Sequence, residues 1–251
     1  MKFLDLTFNE PAENLACDEA LLNWCGESGD AEILRVWESK QSFVVLGRSN
    51  SFRREVNVEA CEARGVPILR RCSGGGTVLQ APGCLNYAVA LQVSNRPEMQ
   101  TVSGANRSIM ERHRSMLQRQ LRAEVQVSGH TDLVVANRNT IGHNWNLPPL
   151  KVSGNAQRRT RHQILFHGTF LVGLDLGLVG ELLAMPSLQP GYRQGRPHAE
   201  FVTNLNLSRA TIVQGLREAW NANEPFTNID QLHVLDLVKS RYGTSEWNTK
   251  L

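Results

Sequence analysis

The feature that most constrains the fold is a run of three glycines that follows two arginines and precedes an apolar, β-branched stretch. The run is Arg70-Arg71-Cys72-Ser73-Gly74-Gly75-Gly76-Thr77-Val78-Leu79. Glycine has no Cβ, so its backbone can adopt a positive φ and approach a ligand closely. Consecutive N–H groups in such a loop can form an anion-binding nest, and an adjacent guanidinium can bind phosphate or carboxylate through two donors. A glycine-rich hairpin turn with two surface arginines explains the same residues, so both interpretations stay open.

Length and composition are those of an ordinary globular chain. Its 251 residues are 41% hydrophobic and 20% charged, which allows one large domain or one domain with a small appendage. The net charge is +3 and aromatic residues make up 6%, so we expect no nucleic-acid partner. No apolar stretch reaches the ~18 residues of a membrane span, and no signal peptide follows Lys2. We therefore expect no membrane partner and a cytoplasmic location.

Cysteine usage indicates reduced thiols. The chain has an odd number of cysteines at irregular spacing and contains no CxxC; they are Cys17, Cys25, Cys61, Cys72 and Cys84. This pattern is typical of a reducing compartment rather than of a disulfide framework or a zinc site. No residue is assigned with certainty as a metal ligand.

Hydrophobic periodicity predicts an α+β fold. Short β-branched and aromatic runs predict strands over residues 33–37, 43–46, 77–79, 86–91, 125–127, 133–135, 164–166 and 168–172, and helical spacing predicts helices over 14–24, 58–64, 105–121, 176–184, 208–220 and 229–242. Residues 77–79 and 86–91 could form a hairpin, and Asn14 and Ser103 are candidate N-caps. Both residues 137–150 and residues 186–200 are polar and contain glycine and proline. This composition predicts a long surface loop for the first segment and a loop or lid for the second. These elements favour a mixed or antiparallel sheet with helices segregated around it.

Six segments together resemble the lipoate–protein ligase family, in the family's order. The glycine run resembles the signature RRxSGGGxV, and Gly83-Cys84-Leu85-Asn86-Tyr87 resembles the GNxNY that follows it. Thr131-Asp132-Leu133 is similar to the family's DL strand, and His167-Gly168-Thr169 to its HHGT. Lys151-Val152-Ser153-Gly154-Asn155-Ala156-Gln157 resembles KxSGxAQ, which carries the essential lysine. Residues 14–22 resemble the N-terminal NLAxDEALL helix.

The resemblance implies a biotin/lipoyl ligase-type catalytic domain over residues 1–207. The remaining residues, 208–251, would be a helical segment shorter than the accessory domain of the larger ligases. Such enzymes use ATP with Mg²⁺ to activate lipoate or octanoate as an acyl-adenylate. They then transfer the acyl group to one lysine of a lipoyl carrier domain, in an acyltransferase E2 subunit or a glycine-cleavage H-like protein. We also expect a separate small protein to supply the accessory domain.

Site residues carry over from the resemblance position by position. Lys151 would be catalytic and would contact both ligands. The implied ATP-binding residues are Arg71, Gly76, Thr77, Val78, Leu79 and Lys151. The implied lipoate-binding residues are Arg71, Ser73, Gly74, Gly75, Lys151, Gly154, Ala156 and His167. Asp132 could bind Mg²⁺ or a ribose, or end a strand, and His167 could orient a ligand or be a core histidine.

The chemistry of adenylation agrees with these residue types. A carboxylate attacks the α-phosphate, so two anions approach one another. Fixed cations and backbone dipoles at the phosphorus lower that barrier. A lysine between the carboxylate and the phosphate, such as Lys151, can neutralise both.

Two other functions stay open at this level. Related acyltransferases resemble the ligases over the same motifs but use a cysteine thiolate and no ATP, taking octanoate from an acyl carrier protein or an acyl group from another lipoyl domain. Their cysteine lies shortly before the DL strand or well after the lysine, and this chain has none in either region, which favours the ligase. Cys72 and Cys84, the latter at a position usually held by asparagine, are the remaining candidate nucleophiles. The third interpretation is a non-catalytic module that binds lipoate or biotin.

Overall fold

The computed structural model describes residues 1–27, 32–94, 96–137, 147–227 and 229–251. The strands in these ranges are β1 (Lys2–Asp5), β2 (Ile33–Trp37), β3 (Phe43–Leu46), β4 (Ile68–Arg70), β5 (Val78–Gln80), β6 (Cys84–Gln92), β7 (Val125–Ser128), β8 (Asp132–Val135), β9 (Leu150–Arg159), β10 (Gln163–Leu171) and β11 (Glu224–Pro225). The helices are α1 (Pro11–Glu27), α2 (Phe52–Glu55), α3 (Val58–Ala63), α4 (Val102–Leu121), α5 (Leu176–Leu182), α6 (His198–Phe201), α7 (Arg209–Trp220), α8 (Gln231–Leu237) and α9 (Ser245–Asn248).

Two sheets organise these elements. The larger has the strand order β11-β1-β2-β6-β10-β9-β8-β7, and the smaller has the order β4-β3-β5. Strand β1 runs parallel to β2 and β11, and β3 runs parallel to β4. The other pairs are antiparallel. The predicted α+β class with mixed sheets is confirmed.

The predicted hairpin between residues 77–79 and 86–91 was wrong. Strand β5 pairs with β3 in the smaller sheet, whereas β6 lies between β2 and β10 in the larger one. All residues of β6 but the last are buried. Since β6 pairs with β2 along one edge and with β10 along the other, it has no free edge for β5.

The core lies on both faces of the larger sheet and follows the two-residue alternation of β6. Tyr87, Val89 and Leu91 belong to an apolar cluster with α4 and α7. Ala88 and Ala90, on the opposite face, belong to a second cluster with α1. The small alanine side chains allow α1 to lie close to the sheet, which brings its polar residues near the strands.

Two helix starts differ from the prediction. Helix α1 begins at Pro11, because proline is well accommodated in the first turn of a helix, so Asn14 lies inside the helix. Its side chain bonds instead to the backbone N–H and carbonyl of Phe8. Helix α4 is capped by Thr101, whose hydroxyl accepts from the N–H of Gly104 at 3.0 Å, so Ser103 is helical rather than capping.

Residues 208–251 contribute to the same cores as the rest of the chain. Strand β11 pairs with β1, and α7 packs on α4, where the Trp220 indole donates to His113 Nε2 at 2.8 Å. The division at residue 207 stays a prediction. The predicted helix 229–242 is α8 followed by a wider π turn over Val238–Tyr242. No helix in the described ranges has the length and apolar content that a membrane crossing needs.

The structure describes the predicted loop at 186–200 in full, but only the ends of the predicted loop at 137–150. Residues 138–146, most of the predicted surface loop, lie outside the described residues. The predicted loop or lid at 186–200 contains a 3₁₀ turn, Gly191–Arg193, and the start of α6.

Candidate active site

Arg71 closes the glycine run into a loop. Its Nε donates to Ser73 Oγ at 3.0 Å, and its Nη2 donates to the carbonyls of Gly74 at 2.6 Å and Gly76 at 2.8 Å. The side chain is buried, and desolvation lowers its pKa to about 10. Because 10 is still far above neutral pH, Arg71 remains a cation. In this structure Arg71 therefore holds the loop rather than reaching outward.

The N–H groups of the glycine loop point to no acceptor in the described part of the chain. Gly75 has a φ of 89°, a conformation that favours glycine. Within the described residues no acceptor receives the N–H groups of Gly74, Gly75 or Gly76. A Cβ on Gly74 or Gly76 would meet nothing within 4 Å, so these positions border open space. Successive free N–H groups of this kind form an anion-binding nest.

Arg70 points away from the nest and anchors the base of the loop. It is fully buried and donates to five backbone carbonyls, those of Gly47, Arg48, Asn50, Trp247 and Asn248. Burial lowers the pKa of this guanidinium. The interpretation with two surface arginines was therefore wrong, since both Arg70 and Arg71 are buried.

Lys151 lies over a glycine on β9. Leu133 pairs with Ser153 and Val134 with Lys151, so Val152 is an extra residue and β9 has a β-bulge there. A Cβ on Gly154 would lie 2.7 Å from Lys151 Nζ, so a larger residue there would displace the end of the lysine side chain where it crosses the strand. Lys151 Nζ contacts Asp132 Oδ1 at 2.8 Å.

Asp132 joins β8 to the turn Gly191–Arg193. Its second oxygen, Oδ2, accepts from the Tyr192 hydroxyl at 2.8 Å. The Tyr192 ring also packs against Phe201, with ring centroids 5.2 Å apart. Asp132 thus does more than end a strand, because it holds both Lys151 and part of the predicted lid.

The glycine loop and the lysine strand meet along β9. A Cβ on Gly75 would lie 3.6 Å from the Cβ of Ala156, two residues after Gly154. His167 on β10 is the register partner of Ala156. The structure therefore brings together most of the predicted site: Arg71, Ser73, Gly74, Gly75, Gly76, Asp132, Lys151, Gly154, Ala156 and His167.

Three predicted ATP-binding residues contribute no side chain to this arrangement. Val78 and Leu79 lie in β5, and both side chains pack in apolar clusters. The Thr77 hydroxyl donates to Asn50 Oδ1 at 3.3 Å. Strand β5 is an edge strand of the smaller sheet, but apolar clusters cover both of its faces, so Val78 and Leu79 are turned into the protein.

A buried hydrogen-bond chain behind the loop includes residues that the sequence analysis missed. Ser73 Oγ lies 2.6 Å from His167 Nε2, and His167 Nδ1 lies 3.2 Å from Asp18 Oδ2. Asp18 Oδ1 in turn contacts Arg35 Nη1 at 2.7 Å. The sequence did contain a signal for these residues, because charged side chains stand inside otherwise apolar elements. They are the adjacent acids Asp18 and Glu19 in α1, and Arg35 in β2.

The thiols are buried and protonated. Desolvation raises the pKa of four of them to about 12, namely Cys17, Cys25, Cys72 and Cys84. The fifth, Cys61, is buried as well and its pKa is also raised. Since the thiolate is the nucleophile, neither Cys72 nor Cys84 is prepared for acyl transfer.

The described residues contain no group of three or more His, Cys, Asp or Glu side chains that could hold a metal ion. Mg²⁺ that arrives with a nucleotide needs only one or two carboxylates beside the phosphates. Asp132 fits that requirement if one of its two contacts opens, and the ion would then supply positive charge at the phosphates.

Comparisons with known proteins identify the family of this chain. The family model described as "Lipoyl protein ligase A/B catalytic domain" matches residues 10–218. The chain is 26% identical to octanoyltransferase LipM of Geobacillus kaustophilus (strain HTA426), over 99% of this chain and 98% of the relative. It is 33% identical to a putative lipoate-protein ligase A of Aeropyrum pernix, over 72% of this chain and 61% of the relative.

Among solved structures, a bi-partite lipoate protein ligase from Thermoplasma acidophilum, studied with its E2 lipoyl domain, has a similar fold. The TM-score is 0.78 at 22% identity, and the match covers 99% of this chain and 95% of that chain. The match of the family model to most of the chain, with the loop and lysine in one site, confirms the resemblance. The chain therefore belongs to the lipoyl protein ligase A/B catalytic-domain family.

Proposed function

We propose that this chain attaches a lipoyl or octanoyl group to a lysine of a lipoyl carrier domain, in an acyltransferase E2 subunit or a glycine-cleavage H-like protein, after activating the acid with ATP. The observation that carries the proposal is the position of the glycine-loop nest and Lys151 along one strand. The nest offers three N–H donors to a phosphate, and Lys151 offers a cation a short distance along β9.

Each part of the site has a role in this proposal. The N–H groups of the loop bind a phosphate oxygen, and Lys151 lies between the phosphate and the acyl carboxylate. Preorganised donors and cations of this kind stabilise charge that develops in a transition state. Asp132 orients Lys151 and keeps its ammonium group over Gly154.

A second candidate is octanoyl transfer from an acyl carrier protein without ATP. Similarity to octanoyltransferases over almost the full chain favours this candidate over the ligase. The buried, protonated thiols favour the ligase, because the transferases of the resemblance need a thiolate. Both candidates end with the same acceptor, a carrier-domain lysine.

Mass spectrometry of a lipoyl domain separates the two candidates. The purified chain is incubated with the domain and ATP plus lipoate, with ATP plus octanoate, with preformed lipoyl-adenylate, or with octanoyl-acyl carrier protein alone. We expect a mass increase with the adenylate or with ATP, and none with the acyl carrier protein. A mass increase with the acyl carrier protein alone selects the octanoyltransferase, and no modification in any arm leaves only the binding module. A lipoyl domain whose acceptor lysine is replaced by arginine is the matched control.

The expected accessory protein is part of the ligase proposal. The similar Thermoplasma ligase is bi-partite, which supports a two-component enzyme here. In that case the isolated chain modifies the carrier domain from preformed lipoyl-adenylate but reacts poorly with lipoate and ATP. Full ATP-dependent turnover by the isolated chain, on the order of 1 s⁻¹ or more, contradicts the need for a second protein.

A further inference from the structure

Four side chains behind the glycine loop form a hydrogen-bond chain with one consistent direction. The Arg71 guanidinium can only donate, so Ser73 Oγ accepts from it at 3.0 Å. The Ser73 hydroxyl hydrogen is then available to His167 Nε2, 2.6 Å away. With Nε2 accepting, the ring hydrogen is on Nδ1 and points to Asp18 at 3.2 Å. Each group in the chain thus has one role.

The far end of the chain is fixed by buried charge. Arg35 is fully buried, and its Nη1 donates to Asp18 Oδ1 at 2.7 Å. The same guanidinium donates to the carbonyls of Leu6 and Asn14. Helix α1 and strand β2 therefore hold the Asp18 carboxylate in place, and Asp18 holds the His167 ring.

The connectivity is that of a nucleophile, a base and an orienting acid, so two roles must be compared. Ser73 is 1% exposed. Its oxygen already accepts from Arg71, while its hydrogen is given to His167. An acyl carbonyl has no open approach to that oxygen. The geometry favours orientation of the loop over covalent catalysis.

We propose that His167, held by Asp18 and Arg35, is a positioning residue for the anion-binding loop. By accepting the Ser73 hydroxyl hydrogen, His167 leaves the Ser73 oxygen turned to Arg71. Arg71 then keeps its Nη2 on the carbonyls of Gly74 and Gly76, so the N–H groups of the loop face the ligand. The inference rests on the proposed function only for its activity readout.

Two substitutions at residue 167 separate the roles of the two ring nitrogens, Nε2 and Nδ1. In His167→Gln the amide oxygen takes the place of Nε2 and can accept from Ser73. In His167→Asn the shorter amide takes the place of Nδ1, so it keeps the Asp18 contact and loses Ser73. The Arg48 amide donates to the carbonyl of Ser73 at 2.8 Å, so its hydrogen–deuterium exchange, here called loop exchange, reports the effect without substrate. We expect about tenfold faster exchange in His167→Asn, the loss of one hydrogen bond, and near-parental exchange in His167→Gln.

The activity readout uses the same pair. With lipoate, ATP and a lipoyl domain, His167→Asn should raise the KM for ATP about tenfold while kcat changes less than about threefold. His167→Gln should restore most of the KM. The matched control is His113→Gln, because His113 is also a buried histidine but bonds to Trp220 on the other face of the sheet. Loop exchange and KM should be unchanged in His113→Gln.

The outcomes are separable. Equal loop exchange in His167→Asn and the parent overturns the inference, as does a Gln variant no better than the Asn variant. An acyl ester on Ser73, detected by mass spectrometry and absent in Ser73→Ala, would show a nucleophile and also overturn it. If His167→Asn does not fold, Ser73→Ala removes the same link and must accelerate loop exchange. The expected exchange pattern without acyl transfer supports the inference and contradicts only the proposed function.

Discussion

At the scale of single residues, Lys151 is the side chain on which the proposed chemistry depends. Its ammonium is half-buried, pairs with Asp132 at 2.8 Å and crosses Gly154. Lys151→Ala should lower the rate of acyl transfer by about 10²–10³-fold, the usual cost of losing one transition-state donor. The thermal midpoint should change little, because partly exposed ion pairs contribute about 0–1 kcal/mol.

The measurement is the initial rate of carrier-domain modification, with circular dichroism as the folding check. Lys40→Ala is the control, since Lys40 is exposed. Near-parental turnover by a folded Lys151→Ala protein would remove Lys151 from the site.

Thiol chemistry is a second residue-scale prediction. The pKa values of Cys72 and Cys84 are raised to about 12 by burial, so both thiols are protonated at every pH below that value. Cys72→Ser and Cys84→Ser should each retain most activity, and iodoacetamide should label neither thiol in the folded protein at pH 8. A thioester on either cysteine, together with loss of activity in its serine variant, contradicts the prediction and selects the octanoyltransferase.

At the scale of elements, one hydrogen bond ties the turn Gly191–Arg193 to β8. Tyr192→Phe removes the donor to Asp132 Oδ2 and keeps the ring that packs on Phe201. A hydrogen bond to a carboxylate contributes about 1.5–3 kcal/mol, so residues 186–200 should exchange amide hydrogens at least several-fold faster. Peptide-level hydrogen exchange measures this. Unchanged exchange would mean that the remaining contacts hold the turn, namely the ring packing on Phe201 and the hydrogen bonds from Arg196 to the carbonyls of Pro148, Pro149 and Tyr192.

Arg70 joins three separate elements, the turn at 47–50, the glycine loop and α9. Arg70→Met leaves five carbonyls without this donor, and each of the two buried ones, those of Gly47 and Asn248, costs about 1–3 kcal/mol when its partner is lost. We expect the free energy of unfolding to fall by at least ~3 kcal/mol in urea titrations. Arg70→Lys should not restore it, because an ammonium group cannot reach the same fork of acceptors. The control Arg119→Met, at an exposed position of α4, should change stability by less than ~0.5 kcal/mol.

At the scale of the whole molecule, buried titratable groups limit the pH range of stability on both sides. Burial lowers the pKa of His113 to about 3, so between pH 6.5 and pH 3 the unfolded chain binds a proton that the folded chain does not. Stability therefore falls as the pH drops through that range. On the alkaline side, raised pKa values at Cys17, Cys25 and Cys72 make the unfolded chain lose protons first. Stability should then fall as the pH rises from about 9 to about 12.

Urea titrations followed by tryptophan fluorescence at pH 5, 7.5 and 10.5 measure both limbs. The free energy of unfolding should be greatest at pH 7.5. His113→Gln should flatten the acid limb and leave the alkaline limb in place. If the acid limb keeps the same slope in His113→Gln, titratable groups other than His113 cause the loss of stability at low pH.

Much of the architecture could be predicted from local patterns. The helical spacing in residues 208–220 matches α7 to within one residue, and the apolar runs at 33–37 and 43–46 are β2 and β3. These predictions succeeded because the period of the apolar residues is a property of the segment itself. The motif order was also sufficient for the family. The ligand roles of the site residues stay predictions.

The sequence by itself determined the longer helices, several of the strands, the α+β class and the set of motifs, since each depends on residues close together in the chain, but it did not predict β1, β4 or β9. Only the tertiary structure decided which elements pair, and it placed β5 and β6 in different sheets. It also buried Arg70 and Arg71, and it joined Asp18 to His167 across 149 positions of the chain. The physical reason is that such contacts are selected by packing and by the cost of an unpaired buried charge. Both are properties of the assembled core, and neither appears in the pattern of any one segment.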